Sequence, residues 1–193
     1  VEFARIEPHH RILDLAAGTG DVTYRLGERA HRGEVIGSDI NPQMLAVAEQ
    51  KRPAGMDHVR FSTEDAADLP YEDDSFDRVT IVYAGRGFPD FPAVLAEAYR
   101  VLKPGGELWN LDFARPPNKA WDKVYRGYMM ASGAMLGIAL HGHPKTYMYI
   151  PASMKAYPGQ RWLDAEMRKA GFETWLVETF GCIMAYNVGK KPA

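Results

Sequence analysis

The chain has 193 residues, of which 46% are hydrophobic and 25% charged, and its formal net charge is −2. This composition is typical of one globular domain, and the lack of a basic excess argues against a nucleic-acid partner. The single cysteine, Cys182, excludes an internal disulfide, no secretory signal opens the chain, and the longest uncharged apolar run, 127–140, is too short to span a bilayer. A cytoplasmic protein is expected.

Short apolar strands alternate with helices through the first 113 residues. The predicted strands are Arg11–Ala16, Glu34–Asp39, His58–Thr63, Phe76–Tyr83 and Glu107–Phe113. The predicted helices are Asp21–Ala30, Pro42–Arg52 (with Asn41 as its N-cap) and Phe91–Leu102, the last stopping at the turn sequence KPGG. This alternation predicts an α/β fold: a Rossmann-like, doubly wound, mostly parallel sheet with helices on both faces.

The remaining residues show a different pattern. Helices are predicted at Asn118–Leu140 and Arg161–Gly171. Two strands follow, Glu173–Phe180 and Cys182–Gly189, separated by one glycine. They predict an antiparallel C-terminal hairpin that completes a seven-stranded sheet. No linker divides the chain, so a single domain over residues 1–193 is predicted.

A glycine turn, Gly18-Thr19-Gly20, follows the first strand directly. Glycine allows a sharp turn and lets a ligand lie against bare backbone, and ligands of open α/β sheets bind beyond the carboxyl ends of the strands. A P-loop is excluded because no lysine follows the turn. A dinucleotide-binding fingerprint is incomplete, because Thr23 stands where its third glycine belongs.

Acidic side chains surround this turn and follow the next two strands. Asp14 and Asp21 would repel a pyrophosphate but suit S-adenosylmethionine (SAM), whose sulfonium and amino groups are positive. Asp39 ends the second strand with the spacing expected for a ligand of the ribose hydroxyls, which fits SAM and NAD alike. After the third strand, Asp65 and the backbone N–H of Ala66 are placed to meet an adenine. SAM is the predicted ligand.

Several longer segments resemble class I SAM-dependent methyltransferases: LDLAAGTGD, GSDINPQMLAVAEQK, TEDAADLPYEDDSFDRVTIVYAGRGFPD and AEAYRVLKPGGELWNLDFARPPN. Together with YMYIPASMKAYPGQ, they resemble more narrowly the UbiE/MenG family, whose members C-methylate the quinol ring in ubiquinone and menaquinone biosynthesis. The resemblance covers nearly the whole chain. It implies SAM as methyl donor, S-adenosylhomocysteine as product, no metal, and as acceptor a lipophilic prenylated quinol, demethylmenaquinol or a ubiquinol precursor.

The resemblance also assigns residues to the two ligands. Those implied for SAM are Asp14, Ala16, Gly18, Gly20, Asp39, Ile40, Met44, Asp65, Ala66 and Tyr83. The residue implied for the acceptor is Arg86. Four further side chains either shape the acceptor pocket or pack in the ordinary way with a hydroxyl at the surface: Tyr147, Tyr149, Ser153 and Tyr157. Arg86 is the preferred catalytic residue and would stabilise a quinol oxyanion or position a water, because a guanidinium rarely loses its proton. His141 and His143 are the rival candidates for the base.

Other interpretations stay open, because Gly87 replaces the asparagine usual in the family and the ending TFGCIMAYNVGKK differs from the family's. They are a SAM methyltransferase for a phospholipid amine or a secondary metabolite, a SAM-binding regulator, and a NAD-dependent oxidoreductase. The family's N-terminal capping segment is expected to be absent, which predicts an open pocket and weak SAM binding.

The stretch YRGYMMASGAMLGIAL either receives an isoprenoid tail or is an ordinary core helix. The sequence displays no basic amphipathic face of the kind that binds membranes. Contact with the inner face of a membrane and a homodimer both remain open alternatives.

Overall fold

The computed structural model describes residues 4–143, 153–155, 157–179 and 181–193, without the side chains of Leu140 and His141. Its strands are β1 (Arg11–Leu15), β2 (Glu34–Asp39), β3 (Val59–Thr63), β4 (Phe76–Val82), β5 (Leu102–Phe113), β6 (Glu173–Thr179) and β7 (Met184–Lys190). Its helices are α1 (Asp21–Arg29), α2 (Pro42–Gln50), α3 (Phe91–Val101), α4 (Lys119–His141) and α5 (Gln160–Lys169), and a 3-10 turn, Gly85–Gly87, follows β4.

The strands form one seven-stranded sheet in the order β3-β2-β1-β4-β5-β7-β6. The pairs among β1 to β5 are parallel, whereas β7 runs antiparallel to both β5 and β6. The predicted mostly parallel sheet with an antiparallel C-terminal hairpin is therefore confirmed.

Helices bury both faces of the sheet. Leu13, Leu15 and Ile81 belong to a core that contains buried side chains of α3 and α5. Ile12 and Val35 pack on the opposite face with buried side chains of α1. Strands β1 and β2 are buried along most of their length without alternation, because a parallel sheet covered on both faces leaves no polar side.

Side-chain caps begin three of the helices. The Asn41 side chain accepts a hydrogen bond from the backbone N–H of Gln43, which confirms the predicted start of α2. Asp90 caps α3 in the same manner, and Asn118 caps α4. These caps satisfy N–H groups that have no partner within the helix and fix where each helix leaves its loop.

Strand β5 starts at Leu102, earlier than the predicted Glu107, and the turn sequence KPGG forms a bulge within it, because pairing with β4 passes from Phe76–Leu102 directly to Arg78–Glu107. Helix α3 ends at Val101 and the strand starts at the next residue, Leu102. The backbone N–H of Gly105 donates to the carbonyl of Lys191, and the N–H of Lys191 donates to the carbonyl of Gly106. Pairing with a segment some 85 residues away thus supplies the hydrogen bonds that make this stretch a strand.

The C-terminal hairpin has a longer connection than the single glycine predicted. Strand β7 starts at Met184 rather than at Cys182. Cys182 has a φ of 64°, in the left-handed region that a strand residue does not adopt. The backbone N–H of Ile183 donates to the carbonyl of Thr179, which closes the turn.

The segment after β7 is anchored by one ammonium group. Lys191 Nζ donates to the carbonyls of Leu102 at 2.8 Å and Tyr99 at 3.0 Å, and to Asp74 Oδ1 at 2.6 Å. Its side chain is 14% exposed. Lys191 therefore ties the segment after β7 to the junction between α3 and β5.

Candidate functional site

The carboxyl ends of β1, β2, β3 and β4 lie along one edge of the sheet, where open α/β sheets bind their ligands. Ala16 follows β1 with a φ of 55°, and Tyr83 follows the neighbouring strand β4 with a φ of 58°. Left-handed backbone is uncommon outside glycine and gathers at ligand sites. Both residues belong to the set that the resemblance implies for SAM.

The two glycines of the turn have different tasks. Gly20, with a φ of 78°, precedes α1, and a Cβ on it would lie 2.7 Å from Phe61 Cζ and 2.9 Å from Ala48 Cβ. Gly18 has a φ of 57°, and within the described residues a Cβ there would meet only Met44 Cε, at 3.7 Å. Gly20 therefore lets α1 pack closely against its neighbours, whereas Gly18 exposes bare backbone to the crevice.

Asp39 joins the glycine turn to the tip of β2. Its Oδ2 accepts a hydrogen bond from the backbone N–H of Gly18 at 2.9 Å, and its Oδ1 accepts one from the backbone N–H of Asn41 at 2.9 Å. Each carboxylate oxygen has a second lone pair, so the group can also accept from two hydroxyls of a ligand. Two residues that are 21 positions apart thus form a single crevice.

Asp14 lies beneath the turn, with only 1% of its surface exposed. Its two carboxylate oxygens accept hydrogen bonds from Thr23 Oγ1 at 2.7 Å and Thr80 Oγ1 at 2.6 Å. Burial raises the pKa of Asp14 to about 6, while the two hydroxyls oppose the rise and the charge of Asp39 adds to it. Sequence reasoning missed the role of Thr23, which it treated only as the position of an absent glycine.

The other residues assigned to SAM follow the carboxyl ends of β2, β3 and β4. The side chains of Ile40, Met44 and Tyr83 are large, apolar and exposed. Asp65 is exposed and accepts a hydrogen bond from the backbone N–H of Ala67, and Ala66 is buried. Exposed apolar side chains beside carboxylates suit a ligand that combines an aromatic ring with hydroxyl groups.

A buried ion pair lies beyond the ends of β4 and β5. Arg86 Nε donates to Asp112 Oδ1 at 2.6 Å, and the two side chains are 4% and 3% exposed. Arg86 Nη1 donates to Ser153 Oγ at 2.6 Å, and the guanidinium lies 5.1 Å from the centre of the Phe113 ring. Burial raises the pKa of Asp112 and the Arg86 charge opposes that rise. Arg86 and Ser153, two of the candidate acceptor residues, are thus in contact.

Sequence reasoning did not identify Asp112. It is the second-last residue of β5, on the face that alternation assigns to the buried Leu108 and Asn110. A carboxylate at a position where the strand pattern requires a buried side chain was the available signal.

Three tyrosines surround this ion pair. Tyr125 and Tyr157 are buried, and the ring of Tyr83 lies 5.3 Å from that of Phe113. Burial raises the pKa of Tyr125 to about 12, and it also raises the pKa values of Tyr83 and Tyr157. These groups therefore keep their protons at neutral pH and offer hydroxyls rather than phenolates.

The remaining predicted acceptor residues are placed only in part. His143 is exposed just after the C-terminal end of α4, and His141 is the last residue of that helix. Tyr147, Tyr149 and the side chain of His141 lie outside the described residues. Assignments of individual residues to either ligand stay predictions.

The segment YMYIPASMKAYPGQ contributes a structural contact at its last residue. Gln160 Oε1 accepts from the backbone N–H of Arg115 at 2.8 Å, while its Nε2 donates to the carbonyl of Arg115 and to Glu178. The buried amide thereby connects the chain after β5 to β6.

Glu7, His9 and His10, before β1, are close enough together to suggest a metal site. However, His10 Nδ1 accepts a hydrogen bond from the backbone N–H of Glu7, which places the ring proton on Nε2. That nitrogen lies 3.9 Å from Glu7 Oε2 and would need to be unprotonated to bind a metal. The cluster therefore does not fit a metal ion.

Comparisons with known proteins agree with this geometry. The chain matches the model of the ubiE/COQ5 methyltransferase family over residues 3–191. A demethylmenaquinone methyltransferase of Thermus thermophilus is 44% identical over 193 residues, which are 100% of this chain and 87% of that protein. A ubiquinone/menaquinone biosynthesis C-methyltransferase UbiE of Stutzerimonas stutzeri is 36% identical, and the match covers 100% of this chain and 77% of that protein. Among solved structures, a SAM-dependent methyltransferase from Aquifex aeolicus has a TM-score of 0.71 at 18% sequence identity. The match covers 98% of this chain and 85% of that one, and it supports the fold alone.

Proposed function

Because the chain belongs to the ubiE/COQ5 methyltransferase family, we propose that it transfers a methyl group from SAM to a ring carbon of a prenylated quinol, demethylmenaquinol or a ubiquinol precursor. The family match confirms the resemblance predicted from the sequence and makes the chain a methyltransferase. The hydrogen bond from Gly18 to Asp39 is the observation that carries the proposal, because it joins the bare glycine backbone and a carboxylate in one crevice.

The residues of the crevice fit SAM. No lysine is available in the turn to meet a phosphate, and the carboxylates of Asp14 and Asp39 favour a positive ligand. Asp39 would accept from the ribose hydroxyls, with Ile40, Met44, Asp65 and Ala66 around the adenine. The residues left for the methionine end are Asp14, Ala16, Gly18, Gly20 and Tyr83. When bound, SAM supplies a methyl group on a positively charged sulfur.

Arg86 is the residue we propose for activation of the acceptor. A quinol ring carbon is a poor nucleophile until a neighbouring hydroxyl loses its proton, and the resulting oxyanion needs a positive partner. The guanidinium keeps its charge, and its burial beside Asp112 removes the water that would weaken its field. Ser153 fixes a second side of the same group. Arg86 therefore acts as a cation or positions a water, and His141 and His143 remain the candidates for the base.

The test is methyl transfer from isotopically labelled SAM to a short-chain demethylmenaquinol in solution, with the product mass measured. We expect one added ring methyl group and no transfer to phosphatidylethanolamine. Transfer to the phospholipid amine in place of the quinol would contradict the proposed acceptor, and SAM binding without transfer to either would indicate a regulator.

Calorimetry with matched variants tests the SAM site. Asp39→Asn should weaken SAM binding by roughly tenfold or more, because hydrogen bonds to a charged acceptor are lost. Asp57→Asn, which removes an exposed carboxylate outside the crevice, should leave the affinity unchanged. Equal affinities in both variants would contradict the assignment of Asp39.

A further inference from the structure

Helix α4 presents apolar side chains on the side that faces away from the protein. Asp122, Tyr125 and Gly133 mark its buried side. On the opposite side is a row that we name the α4 stripe, at spacings of three, four or seven residues: Val124, Tyr128, Met135 and Ile138. These side chains are 58% to 67% exposed. A surface helix normally presents polar residues to water, so an apolar row of this length indicates a surface that something covers.

The charge distribution of the chain indicates what covers it. Residues 123–163 contain five Lys and Arg and no Asp or Glu. The rest of the chain contains 18 Lys and Arg against 25 Asp and Glu and is net −7. An acidic protein thus has a segment without carboxylates that contains nearly all of α4. Of its cations, Arg126 pairs with Asp122 at 2.9 Å and Arg161 with Glu178 at 3.2 Å, while Lys123 is exposed on α4. Such a segment is complementary to a surface of anionic lipid.

We propose that the α4 stripe docks the protein onto an anionic membrane, with α4 lying in the plane of the lipid headgroups. Apolar and aromatic side chains would enter the headgroup layer while the exposed Lys123 stays at its level. Within the described residues no helix has the length and apolar character to cross a bilayer.

Contact between α4 and the acceptor site supports this orientation. The hydroxyl of Tyr125, on the buried side of α4, donates to the carbonyl of Ile183 at 3.1 Å, and that carbonyl also accepts from the backbone N–H of Ala114, just after the end of β5 that carries Asp112. Ser153, in the carboxylate-free segment, accepts a hydrogen bond from Arg86 at 2.6 Å. The inference rests on the proposed function, because a polyprenyl quinol is dissolved in a bilayer and must be reached there.

A second copy of the chain is a less favourable partner for the α4 stripe than a membrane is. Two copies that met at their α4 stripes would bring two positive, carboxylate-free segments together, whereas a lipid surface would neutralise each of them. Residues 127–140 also lack the charged flanking positions that set register between paired helices.

The experiment is flotation of the full chain with vesicles of phosphatidylcholine, with and without phosphatidylglycerol. We expect binding that increases with phosphatidylglycerol and decreases with salt. Met135→Glu and Ile138→Glu should each reduce the vesicle-bound fraction several-fold. Val47→Glu, which adds the same charge at an exposed apolar residue of α2, should bind as the unmodified chain does.

Two acceptors separate failure of this inference from failure of the proposed function. The Met135→Glu variant should methylate a short-chain quinol in solution at the rate of the unmodified chain. It should methylate a long-chain quinol in vesicles several-fold more slowly than the unmodified chain does. Equal vesicle binding by all variants overturns the inference, as does a dimer in sedimentation that Met135→Glu dissociates in a chain that does not float. If the unmodified chain fails to methylate the short-chain quinol, the proposed function fails instead.

Discussion

Asp14 combines almost complete burial with a charge that the proposed ligand needs. A carboxyl in the interior is costly to ionise, and the two threonine hydroxyls offset only part of that cost. Because its pKa in the folded protein is about 6 and its ordinary value is 3.8, the native state holds this proton more tightly than the unfolded state does. The side chain therefore links stability and ligand binding to pH.

The first prediction concerns stability and pH. Asp14 contributes stability that is fully present below about pH 4 and is lost as pH rises through 6, in total about 3 kcal/mol. Asp14→Asn removes this dependence, and urea unfolding at pH 4.5 and 7.5 measures it. Asp57→Asn, at an exposed position, should keep the slope of the unmodified chain. The same slope in Asp14→Asn would show that a different group titrates.

The second prediction concerns Arg86. Lysine keeps the positive charge but cannot hold Asp112 and Ser153 with the planar fork of a guanidinium. Arg86→Lys should lower kcat by roughly 100-fold, the usual loss for one misplaced charge-stabilising donor, with an unchanged Kd for SAM. Arg25→Lys, at an exposed position of α1, is the control. A weakened SAM affinity with unchanged kcat would contradict this role and assign Arg86 to the SAM site.

Among the structural elements, the turn between β1 and α1 and the start of β5 each contain a glycine with left-handed backbone. Gly20 and Gly105 have nearly the same φ, 78° and 79°, but a Cβ on Gly105 would have open space around it. Gly105→Ala should cost about 1 kcal/mol from backbone strain alone, and Gly20→Ala about 1–3 kcal/mol more because of the contacts with Phe61 and Ala48. Urea denaturation measures both. Equal losses would show that Phe61 moves aside without cost.

The sequence predicts the elements well where their causes are local. Alternating apolar strands and helices, and the cap at Asn41, depend on neighbouring residues and agree with the structure. The starts of β5 and β7 do not agree, because the strands with which they pair are distant in sequence. Gly105 and Gly106 pair with Lys191, and no pattern within a short window contains that information.

The same distinction applies to the candidate site. Asp39 was found because its spacing from Gly18 follows from the order of strands in a parallel sheet. The ion pair between Arg86 and Asp112 was only half found, since pairing a residue of the turn after β4 with a residue of β5 requires the register of these two strands. Thr23 was misjudged, because its bond to Asp14 depends on how α1 packs against the sheet.

Across the molecule as one body, α4 packs against the rest of the protein on one side only, whereas the central strands are buried on both faces. Ile12, Leu13 and Ile81 in β1 and β4 are fully buried, whereas one complete side of α4 is exposed. The sequence could not reveal which side of this helix is exposed, because nearly all of its second half is apolar. The opposite sides can be told apart only when the neighbours are known.

Hydrogen exchange measures this difference. We expect amides of β1 and β4 to exchange only on global unfolding, and those of residues 127–139 to exchange faster by local opening. Vesicles containing phosphatidylglycerol should slow exchange in α4 and leave β1 unchanged. Slowing of both elements by equal factors would instead indicate general stabilisation of the protein.

The ammonium of Lys191 has a practical consequence for chemical footprinting. An amine-reactive reagent needs an unprotonated, accessible nitrogen, and this one is enclosed by two carbonyls and a carboxylate. Lysines on the surface should acquire the label within the folded molecule, while Lys191 should acquire it only after the sheet edge has separated. The rate of its modification, measured from peptide masses, would therefore report how often the C-terminal hairpin opens.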